Sequence, residues 1–192
     1  MITEKEISCI WAGLRVTPYK EQNIDSLIPL LQVEFSNWSL NKIRSYMNLV
    51  TGNTNDSSGV LVAQNEASYN VGIAIYTLQQ IGAQFLNMEE NINKEENKNK
   101  DDKVYNILVI ENIIASSPIL QKPVFMALVQ GAVKIAEYFE CDYLELPNIN
   151  DDKSFEFVEK KYGSYVKKGD NFRSYIDLSN DSYNRQVYAK KN

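Results

Sequence analysis

The sequence predicts a mixed α/β (α+β) domain, a sheet of six to seven strands with helices on both faces. Three observations carry this. Two pairs of β-rich runs are each joined by a short polar segment, which reads as two hairpins. A further run, VYNILVIENIIA (104–115), is followed by a long apolar helix pattern and then by CDYLELP (141–147). A strand–helix–strand unit of this kind calls for parallel strands and a right-handed crossover. Helical patterns also precede each hairpin, so the two element types mix along the chain.

The elements follow in order. LRVTPY (14–19) reads as a strand end and a turn. Asp25 or Ser26 is the candidate cap of a helix reaching Phe35, with Leu27, Leu30 and Leu31 on one face and Pro29 in or next to its first turn. Ser39 is placed to cap LNKIRSYMNLV (40–50), and TGNTNDSSG (51–59) is a loop by composition. GVLVAQ (59–64) and NVGIAIYTLQQ (70–80), joined by NEASY, form the first hairpin. The stretch 82–103 is mostly Asn, Lys and Glu from Asn87 on. It has little to bury and reads as a mobile insertion.

KPVFMALVQGAVKIAEYFE (122–140) gathers Phe125, Leu128, Ala132, Ile135, Ala136 and Phe139 on one helix face. Gly131 weakens that helix but lets it approach a sheet closely. Asn150 or Asp151 caps DDKSFEFVEKKYG (151–163), which stops at Gly163. SYVKK and FRSYIDL then flank KGDN as the second hairpin. One domain is expected over residues 1–178, followed by a polar tail, 179–192.

Composition excludes several classes. With 192 residues, 44% of them apolar, the chain can bury one real core. A net charge of -5 without a Lys/Arg cluster argues against a dedicated nucleic-acid binder, though one local anion pocket remains compatible. The first ten residues carry charges and no apolar h-region follows, so no signal peptide is expected. No apolar run approaches the roughly 18 residues of a membrane span. Cys9 and Cys141 form neither a metal-type spacing nor a disulfide framework, and a reduced, cytoplasmic protein is the expectation. Histidine is absent. That removes Ser-His-Asp and Cys-His catalysis and histidine-ligated metals, and no metal site is predicted. Acid–base work falls to Glu, Asp, Tyr, Lys, Cys or water.

In element order and local motifs, roughly residues 14–178 resemble the GCN5-related N-acetyltransferase (GNAT) family. VLVAQNEASYNVGIAIYTL (60–78) is similar to the family's second and third strands, CDYLEL to its fifth strand, and NDDKSFEFVEKKYG (150–163) to its fourth helix. The resemblance implies a mostly antiparallel mixed sheet that binds acetyl-CoA between the fourth and fifth strands. The fourth strand, here at Ile113, Ile114 and Ala115, would pair with the pantetheine arm, and the next loop would wrap the pyrophosphate. An amine of a small molecule or peptide would attack the thioester directly, with no covalent intermediate. Dimerisation through the C-terminal strands is also implied.

The loop departs from the family. The pattern Arg/Gln-x-x-Gly-x-Gly/Ala, counted back without gaps from CDYLEL, falls on Leu120, Gln121, Lys122, Pro123, Val124 and Phe125. If the loop slips by one residue, Gln121 takes the Arg/Gln site. Pro123 has no N–H to offer, and Phe125 puts bulk where backbone should come close. A phosphate is left with Gln121, the charge of Lys122, and helix-start N–H groups at Val124, Phe125 and Met126. Losing one or two charge-assisted hydrogen bonds costs about 2–5 kcal/mol, tens- to thousands-fold in CoA affinity.

Glu111, on the fourth-strand run, is the candidate general base, held in a hydrophobic cleft; the alternative is a solvent-facing or hydrogen-bonded strand glutamate. In the family a helix tyrosine protonates the departing thiolate, but the matching position here is Val158 or Glu159. Tyr162, one turn further on, is the candidate substitute, with packing at the helix end as the alternative. Asn148 and Asn150 match an asparagine that the family places near the CoA arm; plain helix capping is the alternative, and the favoured one. Trp11, Trp38 and Tyr76 line an acceptor pocket or belong to the core. Cys141 has no activating partner and reads as a small apolar residue. Two functions follow. One is acetyl transfer from acetyl-CoA to an unidentified amine. The other is a catalytically inactive GNAT-like binding or regulatory module that no longer binds CoA.

Overall fold

The computed structural model describes residues 8–19, 24–52, 57–82, 104–147, 152–168 and 173–179. They divide into two compact units, Met1–Thr77 with Ile110–Ile135, and Leu78–Val109 with Ala136–Asn192.

The first unit opens with a hairpin of β1 (Cys9–Trp11) and β2 (Leu14–Pro18). Its two turn residues are both left-handed, Ala12 at φ 48° and Gly13 at φ 76°. That geometry matches the twist of the flanking strands. β1 is the strand beyond the expected six to seven; three residues are too few to show an alternating pattern. After a 3₁₀ turn at Ile24–Ser26 comes α1 (Ile28–Glu34), with Pro29 in its first turn. The residue before it, Leu27, makes no side-chain cap. Neither Asp25 nor Ser26 therefore caps this helix. Asp25 pairs with Arg44 at 3.0 Å, and Ser26 Oγ accepts from the Asn70 amide at 3.3 Å.

α2 (Leu40–Thr51) does start on the expected cap: Ser39 Oγ accepts the Lys42 N–H at 3.3 Å. β3 (Ser58–Gln64) and β4 (Asn70–Gly82) form the expected antiparallel hairpin. Strand alternation then sorts the core. Val60, Val62, Ile73 and Ile75 face Leu27, Leu31, Ile43 and Met47 of the α1–α2 region. Leu61 and Gly72 point to the other face, where α3 (Gln121–Tyr138) lies. A Cβ on Gly131 would sit 2.7 Å from Val16 Cγ1 and 3.2 Å from Leu61 Cδ1. Gly131 is thus the point of close approach that its place in the helix suggested. By length and hydropathy Pro118–Tyr138 could cross a membrane, but most of it is buried against protein, as in a core helix.

The second unit holds the N-terminal part of β5 (Val104–Ala115) in parallel register with β6 (Tyr143–Leu146). The register sets Ile107, Leu108 and Val109 opposite Tyr143, Leu144 and Glu145. The Asp142 N–H donates to Asn106 O at 2.8 Å, and the Asn106 N–H to Asp142 Oδ2 at 2.9 Å, closing one end. α4 (Asp152–Tyr162) ends at Gly163, as expected. β7 (Val166–Lys168) and β8 (Ser174–Asp177) form the second hairpin, and β8 lies next to β6.

The strand order is β1-β2-β3-β4-β5-β6-β8-β7. Of the registers described, only β5 with β6 is parallel. The architecture is therefore a mixed, mostly antiparallel sheet with helices. Most of the insertion 82–103, the tail beyond Ser179 and the proposed caps Asn150 and Asp151 lie outside the described residues.

Candidate functional site

Glu111 stands on β5 just past its most buried run. Thr77 Oγ1 donates to Glu111 Oε1 at 2.9 Å, fixing the carboxylate against β4. Glu111 is solvent-exposed, which corrects the expectation of a hydrophobic cleft. The buried run ends at Ile110, so the next side chain emerges at the surface.

Beside it is Tyr46 of α2. Burial pushes its phenol pKa up, and the Glu111 carboxylate pushes it further, so the hydroxyl stays a donor. Tyr46 belongs to an aromatic cluster. Its ring centroid is 5.7 Å from that of Phe35 and 5.6 Å from that of Trp38, and Phe35 and Trp38 stack at 4.6 Å. The α1–α2 corner builds this. Phe35 closes α1, the Trp38 N–H bonds to Phe35 O at 2.9 Å, and Ser39 opens α2. The Lys42 ammonium lies 4.0 Å from the Trp38 centroid, so that ring face already accepts a cation. A carboxylate, a protonated phenol and aromatic rings thus share one surface. Such a set offers an ammonium group an anionic partner and aromatic faces.

Trp38 is the aromatic wall residue that the sequence suggested. Tyr76 is core: it is buried, and a Cβ on Gly59 would lie 2.5 Å from its hydroxyl. Trp11 is half-buried in the first hairpin. Thr77, Tyr46 and Phe35 were not singled out by sequence. The hairpin pattern put Thr77 on a strand, but nothing local announced its partner.

The end of β5 leads into the start of α3, the segment matched to the family's phosphate loop. Ile113 and Ala115 are half-buried, while Ile114 is buried in the α1–α2 core. The Ser116 N–H donates to Val71 O at 2.9 Å. A 3₁₀ turn at Pro118–Leu120 then winds directly into α3. A helix start leaves four amides without helical partners. Here the Leu120 N–H bonds Ser117 O at 3.1 Å and the Gln121 N–H bonds Pro118 O. Pro123 has no N–H. The winding therefore begins at Pro118 with Ser117 as its N-cap, and the amides of the true helix start are those of Ser117 and Ile119. Gln121 is exposed and Lys122 half-buried.

The expectation of helix-start amides at Val124, Phe125 and Met126 is corrected. The 3₁₀ turn moves the winding back, so these amides fall within the α3 ladder, and all three side chains are buried. With the loop slipped by one residue, the two glycine sites become Val124 and Met126. Val124 fills the space above Gly72, where a Cβ would run into Val124 Cγ1. Neither register places a glycine at these sites.

In the second unit, Tyr162 is buried at the end of α4, with the Lys161 ammonium 5.4 Å from its ring centroid. This is the packing arrangement weighed against an acid role. Val158 is fully buried. Asn148 and Asn150 lie outside the described residues. Cys141 is buried, and burial, aided by the Asp142 carboxylate, pushes its thiol up to about 11. Among the described residues no group of three or more Cys, Asp or Glu side chains could hold a metal ion.

No protein-family model matches the sequence, and no curated protein matches it. Solved structures do. AtaT, complexed with acetyl-methionyl-tRNAfMet, is 12% identical, covers 93% of this chain and 99% of its own, and superposes with a TM-score of 0.55. The aminoglycoside N-acetyltransferase AAC(6')-Iy, in complex with CoA, is 10% identical over 81% of this chain and 88% of its own, TM-score 0.54. A GNAT family acetyltransferase from Staphylococcus aureus is 11% identical over 72% and 88%, TM-score 0.50. The chain has the GNAT fold, in a form far diverged in sequence from these structures. One structure of this fold carries a tRNA, so the fold does not exclude nucleic acid; the contrary expectation rests on charge alone.

Proposed function

We propose that the protein is an N-acyltransferase that moves an acyl group, acetyl in the first instance, from a thioester to an amine. Glu111 carries the reading. It is a fixed yet solvent-reachable carboxylate beside a protonated phenol and an aromatic cluster, on the strand where this fold is expected to do its chemistry. The ammonium of the acceptor docks against the rings, and Glu111 takes its proton. The freed amine nitrogen forms the new C–N bond as the C–S bond breaks, and the thiolate departs and is protonated from solvent. Acetyl-CoA is the first donor to test, given the CoA complex of a structural neighbour. The acceptor class is a cationic amine of a small molecule or peptide.

A second reading, a module of this fold without activity, is favoured by one observation, the absence of glycine between Ser116 and Met126. Thiol release from acetyl-CoA with a panel of primary amines separates the two. The first reading predicts amine-dependent, saturable release, and Glu111→Gln lowers kcat by about 10²–10³. No amine-dependent release with any member of the panel favours the second.

A further inference from the structure

Away from Glu111, the first unit holds a pocket of about 400 Å³, within the size range of small-molecule sites. Its described lining residues all belong to that unit. Ser116 lies in its wall, and the stretch from Glu111 to Ser116 spans about 16 Å at strand spacing. One wall is apolar: Pro29, Leu30 and Val33 come from α1, and Val33 stays 60% exposed. The turn between β3 and β4 brings Tyr69. The Asn65 N–H donates to Tyr69 O at 3.1 Å, and the Tyr69 N–H to Asn65 Oδ1 at 2.9 Å, which fixes the backbone. Tyr69 is nevertheless 71% exposed. An exposed ring on a fixed backbone offers a stacking face. None of the described lining residues is Asp, Glu, Lys or Arg. A charged ligand would give up water there without gaining a counter-ion; a neutral one would not pay that cost.

Hydrogen bonds set the polarity of the pocket. An arginine side chain can only donate. Arg15 Nη2 donates to Gln64 Oε1 at 3.0 Å, so Gln64 turns its amide nitrogen to Asn70 Oδ1, also at 3.0 Å. Asn70 in turn points its nitrogen at Ser26 Oγ. Its amide carries a second N–H, which has no partner among the described residues. The relay thus ends in a donor at the pocket wall, and a ligand there must bring an acceptor.

We infer that this pocket is a second binding site, separate from Glu111 and from any thioester donor, and that it takes a neutral heterocycle bearing carbonyl or ring-nitrogen acceptors. The ring packs on the α1 wall and the Tyr69 face, and one of its acceptors meets the Asn70 amide. The hydroxyls of Ser68 and Ser116, also in the lining, turn to suit the remaining polar atoms. The inference does not depend on acyl transfer.

The test titrates the isotope-labelled full chain by NMR with two neutral probes, uridine and inosine, which present carbonyl acceptors on a pyrimidine and a purine ring. At least one should shift the backbone amides of Tyr69, Asn70 and Ser116 saturably, with a Kd below about 1 mM, and leave the Glu111 amide in place. Tyr69→Ala removes the ring, and Asn70→Asp replaces the donor by an acceptor of the same shape. Each should weaken that probe about tenfold or more, while unchanged Thr77 and Glu111 amides report that the variant is folded. The matching nucleoside monophosphate should bind no tighter than the nucleoside. No shift at these amides from either probe up to about 10 mM overturns the inference, as does undiminished binding by both variants. A monophosphate more than about tenfold tighter overturns the neutral class. Displacement of the probe by acetyl-CoA makes the pocket part of a donor site and overturns its separateness.

Discussion

At the residue scale, Glu140 and Gly163 make a pair. Both end helices in the left-handed region, Glu140 at φ 53° and Gly163 at φ 55°. Behind Glu140 the Cys141 N–H bonds Ala136 O at 2.8 Å, the closure that usually recruits glycine. A side chain in this region is strained, and that of Glu140 is solvent-exposed. Glu140→Gly should therefore stabilise the fold by about 0.5–1 kcal/mol, read as a Tm rise of a few degrees. A fall in Tm would refute the strain argument. Cys141 next door gives a pH signature. Its pKa rises from the usual 9.0 to about 11 on folding, first through burial and then through Asp142. The folded state favours the neutral thiol, so this stabilisation is complete below pH 9 and is lost as pH rises towards 11. Denaturant midpoints should fall over that window, and less steeply in Cys141→Ala; identical slopes would contradict the burial of the thiol. Ser39 and Gly163 were legible in sequence because a cap or stop needs only local chemistry. The true start of α1 was not, because Asp25 and Ser26 are held by Arg44 and Asn70, both distant in sequence.

At the element scale, the packing of α3 on β4 hangs on Gly72. A Cβ there would run into Val124 and lie 3.0 Å from Ile114 O, and backbone cannot easily yield. Gly72→Ala should cost about 1–3 kcal/mol. Adding Val124→Ala should recover part of it, giving a coupling above about 0.5 kcal/mol in a double-mutant cycle by urea unfolding. Strict additivity would mean that the two do not meet. The α3 periodicity was plain in sequence, because apolar residues recur at helical spacing. Its first turn was not. Pro118 and Pro123 both suit a helix start, and sequence alone does not say which one the winding begins from. That ambiguity is why Val124, Phe125 and Met126 looked like open amides and turned out to be core.

At the scale of the whole molecule, β4 and β5 position the candidate chemistry through Thr77 and Glu111, and the parallel β5–β6 register belongs to the second unit. The strand–helix–strand pattern foretold that register, and two short turns foretold the hairpins. β1 escaped because a three-residue strand carries no period, although the Ala12-Gly13 pair marks its turn in retrospect. The candidate site was legible only in part. Glu111 was visible as a lone carboxylate in an apolar run. Thr77 and Tyr46 were not, since their link to Glu111 spans 34 residues in one case and depends on how α2 packs in the other. Acyl transfer to an amine, with Glu111 as the base, is directly measurable. The direct measurement is mass-spectrometric detection of acetylated amine after incubation of wild-type and Glu111→Gln protein with acetyl-CoA and a mixed pool of primary amines. The wild type should yield acetylated product, and the variant about a hundredfold less. Absence of product from the wild type, or equal yields from both proteins, would contradict it.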